Sequence, residues 1–171
     1  MNRSVMASAL SLALLSYAAA ASADDRLVRF DGGIGVIPVS SAVGPAAQSS
    51  VVNRNIARGV QPPGQLWVIR ELRADVRTDG SIRVDGRGLL LAGGDNVGTP
   101  GGQSVRARLF CGAGAGVASD TTGAPVLLDA DGDFRIDDQL SPVPASPCER
   151  PVLLILNGTG AAWFAAGIPK Q

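Results

Sequence analysis

Hydrophobic and polar residues alternate in short runs along most of this chain, and Gly, Pro, Asn or Asp interrupts them at close intervals. Period-two alternation marks a strand with one dry and one wet face, and turn residues at this frequency predict an all-β sandwich or barrel. Residues 27–30 and 34–39 read as an opening pair of strands about Asp31-Gly32-Gly33. Residues 40–50 read as a small-residue loop, and 51–60 are compatible with a strand ending before Pro62-Pro63-Gly64.

The middle of the chain is more sharply patterned. Leu72, Ala74 and Val76 alternate with Arg73, Asp75 and Arg77; after Thr78-Asp79-Gly80, Ile82 and Val84 alternate with Arg83 and Asp85. That predicts a hairpin with one core-facing side. A further strand places Val105, Ala107, Leu109 and Cys111 on one face, opposite Arg106 and Arg108. Residues 93–102 and 112–125 read as loops, and 126–136 as a hairpin turning at Asp131-Gly132. The run 152–156 is wholly apolar, as a central strand buried on both faces requires. Asn157-Gly158 then signals a tight hairpin into 161–168. The expectation is an antiparallel, Greek-key-like β-sandwich of about eight or nine strands.

The one long apolar stretch lies at the start. Asn2 and Arg3 precede an alanine-rich run over 5–21, and Ala21-Ser22-Ala23 supplies a small-residue cleavage site. This predicts an export signal over 1–23 and a single domain over 24–171, secreted or periplasmic, with no membrane anchor after cleavage. Cys111 and Cys148 are the two cysteines, and in an exported chain they are expected to form one disulfide.

Composition narrows the chemistry. Basic and acidic residues balance at 15 each, which disfavours a nucleic-acid binder. Asp outnumbers Glu thirteen to two, Arg outnumbers Lys fourteen to one, and there are 22 Gly and 11 Pro, a strand-and-turn composition that also fits a GC-rich bacterial genome. Without histidine, Ser-His-Asp and Cys-His catalysis and imidazole metal centres are excluded. Gly93-Gly94 and Gly101-Gly102 flank a loop rather than a strand-to-helix phosphate cradle.

Three sets of residues remain as candidate chemistry. Asp129, Asp131 and Asp133 alternate as oxygen ligands for Ca²⁺ would, but Gly132 and Leu140 break the EF-hand spacing, and a plain Asp-Gly turn, as at Asp79-Gly80, explains most of the pattern. Arg73, Arg83, Arg106 and Arg108 fall on wet faces and could grip an acidic ligand, while interleaved Asp75, Asp85 and Asp137 point instead to cross-strand pairing. Trp67, Trp163 and Phe164 could line a glycan or protein site, but in a chain with 4% aromatics they read first as core plugs. One internal echo stands out: residues 78–85 and 130–137 share the pattern x-Asp-Gly-x-Φ-Arg-Φ-Asp, where Φ is apolar. Recurrent turn chemistry explains it without duplication.

From residue 75 onward the order of elements resembles the CHRD (chordin-type) domain, a secreted β-sandwich. The resemblance is carried by Asp79-Gly80, Gly88-Leu89, Ala107-Arg108-Leu109-Phe110-Cys111-Gly112, Gly114-Ala115-Gly116 and Gly123-Ala124-Pro125-Val126-Leu127-Leu128. The final strands over 152–157 and 163–168 complete it. Arg108-Leu109-Phe110 stands where that family has a His-x-His segment, and the family's second histidine is absent too. The resemblance implies a secreted sandwich and transfers no metal site.

The expected function is a non-catalytic extracytoplasmic binding or structural module without a cofactor, its partner a protein or glycan. The alternatives are a Ca²⁺-stabilised adhesive or carbohydrate-binding domain, and a histidine-free hydrolase.

Overall fold

A computed structural model of the chain describes residues 25–43 and 50–170. The expected export signal lies outside them. Thirteen strands and no helix occur among the described residues. In chain order they are β1 (Arg26–Gly35), β2 (Val39–Val43), β3 (Ser50–Arg54), β4 (Trp67–Val68), β5 (Glu71–Arg77), β6 (Ser81–Arg87) and β7 (Leu90–Leu91). They continue as β8 (Ser104–Cys111), β9 (Val117–Thr121), β10 (Val126–Leu127), β11 (Phe134–Ser141), β12 (Val152–Asn157) and β13 (Trp163–Pro169).

The main sheet is antiparallel and closes on itself. Its order is β8-β12-β13-β1-β5-β6-β11-β9, and β9 pairs back onto β8 through Arg108↔Asp120, Leu109↔Ser119, Phe110↔Ala118 and Cys111↔Val117. The expected sandwich is therefore corrected to an eight-stranded barrel. The correction turns on 112–125, expected as a loop: Ser119 and Thr121 face the core, so β9 is too polar to reveal itself by hydrophobic alternation. Where β9 runs out, the Thr121 hydroxyl bonds both the N–H and the C=O of Ala107. Beyond it, β10 takes over the same edge of β8 through Val126↔Val105 and Leu127↔Ser104.

Three other expectations change. Residues 27–30 and 34–39 are not a strand pair: β1 is one strand with a bulge between Phe30 and Gly33, pairing β5 on one side and β13 on the other. Residues 126–136 form no hairpin, because β10 joins β8 while β11 joins β6 and β9. Residues 39–43, expected within a strand-to-loop transition, form a ribbon with 50–54. The β5–β6 hairpin, the core face of β8 and the buried β12 are as expected.

The barrel interior is solid. One layer runs Phe30–Ala74–Val84–Ile136 in strict register, mixing large and small side chains to fill a small barrel. Another runs Ala107–Ile155–Ala165, ending at Gly35, where the backbone of Trp67 lies so close that any Cβ would collide with it. Gly86 makes similar room for the Phe134 ring. Trp67 and Phe164 stack with ring centroids 4.2 Å apart and close one end of the barrel with Leu89 and Leu91.

On the outside, the two halves of the barrel are treated differently. Leu154 and Leu156 point outward, in register with Arg108 and Arg106, yet both are fully buried. The segment 55–61 covers them. It is held by a Gln61↔Ala162 bridge, by Trp163 N–H donating to Gln61 O, and by Trp163 Nε1 donating to Asn55 O at 3.0 Å. Arg58, at φ 52°, clamps the segment further. Its guanidinium donates to Gly112 O, Gly114 O and Arg150 O at 2.7, 2.5 and 2.8 Å. Those carbonyls flank the Cys111–Cys148 disulfide, whose Cα atoms are 4.9 Å apart.

Candidate functional site

The uncovered half, β1-β5-β6-β11, is densely charged. Each of its four strands contains the tripeptide Arg-Φ-Asp: Arg29-Phe30-Asp31, Arg73-Ala74-Asp75, Arg83-Val84-Asp85 and Arg135-Ile136-Asp137. The central residues are the interior layer already described, so the flanking Arg and Asp must point outward. Antiparallel pairing then sets each Arg against an Asp of its neighbour. One row reads Arg29–Asp75–Arg83–Asp137 and the next Asp31–Arg73–Asp85–Arg135. The result is a two-by-four chequer of alternating sign.

Contacts close within β1–β5 and within β6–β11. Arg83 Nη2 lies 2.9 Å from Asp137, Arg135 Nη1 3.7 Å from Asp85, Arg73 Nε 3.8 Å from Asp31 and Arg29 Nε 4.0 Å from Asp75. Arg73 also reaches Glu71 at 2.6 Å, and Lys170 reaches Asp31 at 3.3 Å. The Lys170 hydrogen bond and charge hold the Asp31 carboxyl below the usual carboxylate range. Nearby, the hydroxyl and N–H of Ser81 lower Asp79 in the same way.

The expected arginines separate into two groups. Arg73 and Arg83 belong to the chequer and have carboxylate neighbours. Arg108 and Arg106 lie on β8, where Arg108 makes a two-pronged pair with Asp120 at 2.5 and 3.0 Å. Arg106 Nη2 donates to Gly123 O at 3.3 Å, while its Nε is buried without a hydrogen-bond partner among the described residues. The four are not brought together into one anion grip. Trp163 and Phe164 are both buried, Trp163 beneath 55–61 and Phe164 against Trp67, and their strand lies between β12 and β1 rather than at an edge.

The Asp129–Asp133 loop is organised from within. Asp129 Oδ1 accepts from the N–H groups of Asp131 and Asp133 at 3.0 and 2.9 Å, and Asp133 Oδ1 accepts from Gly88 N–H at 2.9 Å. These bonds are turn chemistry. Among the described residues, no three His, Cys, Asp or Glu side chains converge in a way that could hold a metal ion.

Two grooves, of about 300 and 670 Å³, lie on the chequered face, and their walls mix Arg with Asp and Glu. A third recess, of about 440 Å³, opens at the barrel end closed by Trp67 and Phe164. None of its lining residues is ionisable. Its walls are the carboxamides Gln65, Asn96, Gln103 and Asn157 over a floor of Trp67, Leu91 and Phe164.

Sequence reasoning missed three features: Arg58 as a clamp, the Arg–Asp pairing as a lattice, and the uncharged recess. The lattice had a signal, since the echo at 78–85 and 130–137 contains two of the four Arg-Φ-Asp copies. The strands of that echo, β6 and β11, are neighbours in the barrel. The chain matches no protein-family model, and no curated protein or solved structure is significantly similar to it.

Proposed function

We propose that the protein is a non-catalytic binding module that works outside the cytoplasm and engages its ligand on the outer surface of the barrel. The observation that carries this reading is the closely packed, largely apolar interior of the barrel, while the two grooves and the recess described above open on its surface. A carboxylate-pair hydrolase places one acid with a raised pKa across a cleft from a second. Here Asp31 and Asp79 are both held below the usual carboxylate range. The Cys111–Cys148 bridge fits an oxidising compartment. An apolar inside and a charged outside are the reverse of a membrane-spanning barrel, whose lipid-facing band is apolar.

Affinity capture with the disulfide-bonded protein, from the native envelope and medium, tests the reading when run beside a panel of glycosidase, esterase and peptidase substrates. A partner that rebinds the purified protein without turnover supports it. Turnover of any substrate, or failure to retain a partner, overturns it.

A further inference from the structure

We infer that the uncharged recess at the Trp67/Phe164 end is a binding site for a neutral glycan chain; this rests on the binding-module reading and assigns its site and ligand class. The recess differs from the rest of the surface in kind. Elsewhere Arg and Asp dominate, whereas every polar side chain lining it is a carboxamide. A carboxamide donates through its NH₂ and accepts through its carbonyl, as a sugar hydroxyl does in both directions.

Much of that capacity is unused. The side chains of Gln65 and Asn96 make no hydrogen bond among the described residues. Asn157 uses only Oδ1, accepting from the N–H groups of Ala161 and Ala162. Gln103 makes one long bond, from Nε2 to Gly101 O at 3.4 Å. Both free residues have an exposed apolar neighbour in sequence, Leu66 beside Gln65 and Val97 beside Asn96. Carboxamides set over an apolar floor match a pyranose, whose edge is hydroxyl and whose faces present C–H. A charged ligand would find no counter-ion there.

The site is also built before any ligand arrives. The loop 93–102 folds back on itself through five backbone bonds: Val97 N to Gly94 O, Thr99 N to Asn96 O, Gln103 N to Pro100 O, and the pair linking Leu91 with Gly98 and Thr99. Gly94, Gly98, Gly101 and Gly102 all have positive φ, the conformation glycine adopts without strain. The glycine-rich loop thus acquires a role: it holds Asn96 over the recess. Order in the free protein reduces the entropy lost on binding.

Isothermal titration and amide chemical-shift mapping test the inference, using the disulfide-bonded protein with cellohexaose, chitohexaose and maltohexaose, and with heparin as the charged control. The expected result is saturable binding of a neutral hexasaccharide. Shifts should centre on 64–67, 96–103 and 157–164, and affinity should be unchanged between 0.05 and 0.5 M NaCl, as roughly follows when no counterion is released. Gln65→Ala/Asn96→Ala should weaken binding about tenfold, the loss of one or two hydrogen bonds. Both residues are exposed, and an unchanged urea midpoint shows that the variant folds. The inference is overturned if none of the three binds, if the double variant binds as tightly as the parent, if only heparin binds, or if a Ser/Asn/Gly peptide occupies the same residues and sugars do not. Affinity capture with the same variant separates the two levels. Partner retention undiminished by the variant sinks the site and leaves the binding module, whereas a parent protein that retains nothing sinks both.

Discussion

The two outer halves of this barrel solve one problem in opposite ways. On β8-β12-β13, outward residues such as Leu154 and Leu156 are apolar and are kept from water by 55–61, which Arg58 and Trp163 fasten down. On β1-β5-β6-β11, the outward residues are Arg and Asp and stand in water. Burial of each large aliphatic side chain is worth about 1.5–3 kcal/mol. An exposed ion pair contributes roughly 0–1 kcal/mol. The covered half should therefore hold the fold together, while the bare half keeps it soluble and in register.

The sharpest way to break the comparison is at the disulfide that anchors the covering. Cys111→Ser/Cys148→Ser should lower unfolding free energy by about 3–4 kcal/mol, read from urea denaturation. A loss close to zero would mean that the covered half is held by other means. Arg58→Met keeps the stem but removes three bonds to carbonyls. It should cost about 1–3 kcal/mol, with amide exchange accelerated over 55–61 and unchanged in β5 and β6. Trp163→Phe deletes the bond to Asn55 O and should cost about 1 kcal/mol by thermal melt.

On the bare half the expected effects shrink. Arg83→Ala and Asp137→Ala should each change stability by less than about 1 kcal/mol, and a double-mutant cycle should return a coupling of the same small size. A coupling of several kcal/mol would erase the contrast between the halves. The smallest effect is set by pH. Asp31 and Asp79 are depressed below the ordinary aspartate value of about 3.9, so their contribution is complete above roughly that pH and is lost as pH falls through the folded values. Asp31→Asn should flatten the acid limb of the stability profile between pH 2 and 6; an unchanged limb would dismiss the Lys170 partnership.

The same division explains what could be read in advance. The β5–β6 hairpin, the face of β8 and β12 are legible because alternation or an unbroken apolar run reports burial directly. The wet arginines carried the cross-strand reading in the sequence, and the structure adds the register that sets Arg83 between Asp75 and Asp137. Closure was not legible. It depends on β9, whose inward Ser119 and Thr121 lack apolar character and so leave its local antiparallel pairing with β8 unannounced. The covering segment was equally hidden, because Arg58 reaches carbonyls of Gly112, Gly114 and Arg150, and a carbonyl leaves no trace in side-chain identity. The recess joins three separate stretches of chain, so only the folded molecule brings Gln65, Asn96, Gln103 and Asn157 together.

The chequered face has a consequence for what the molecule looks like from a distance. Strands about 4.8 Å apart carrying charges of alternating sign repeat every two strands, and the potential above such a lattice dies away within roughly 2 Å of height. That is far shorter than the Debye length of about 8 Å in physiological salt. The field is extinguished by its own geometry before dissolved ions can act on it. To an approaching polyelectrolyte this densely ionic wall is electrically dark, and a neutral chain diffusing toward the far end of the barrel meets neither attraction nor repulsion on the way.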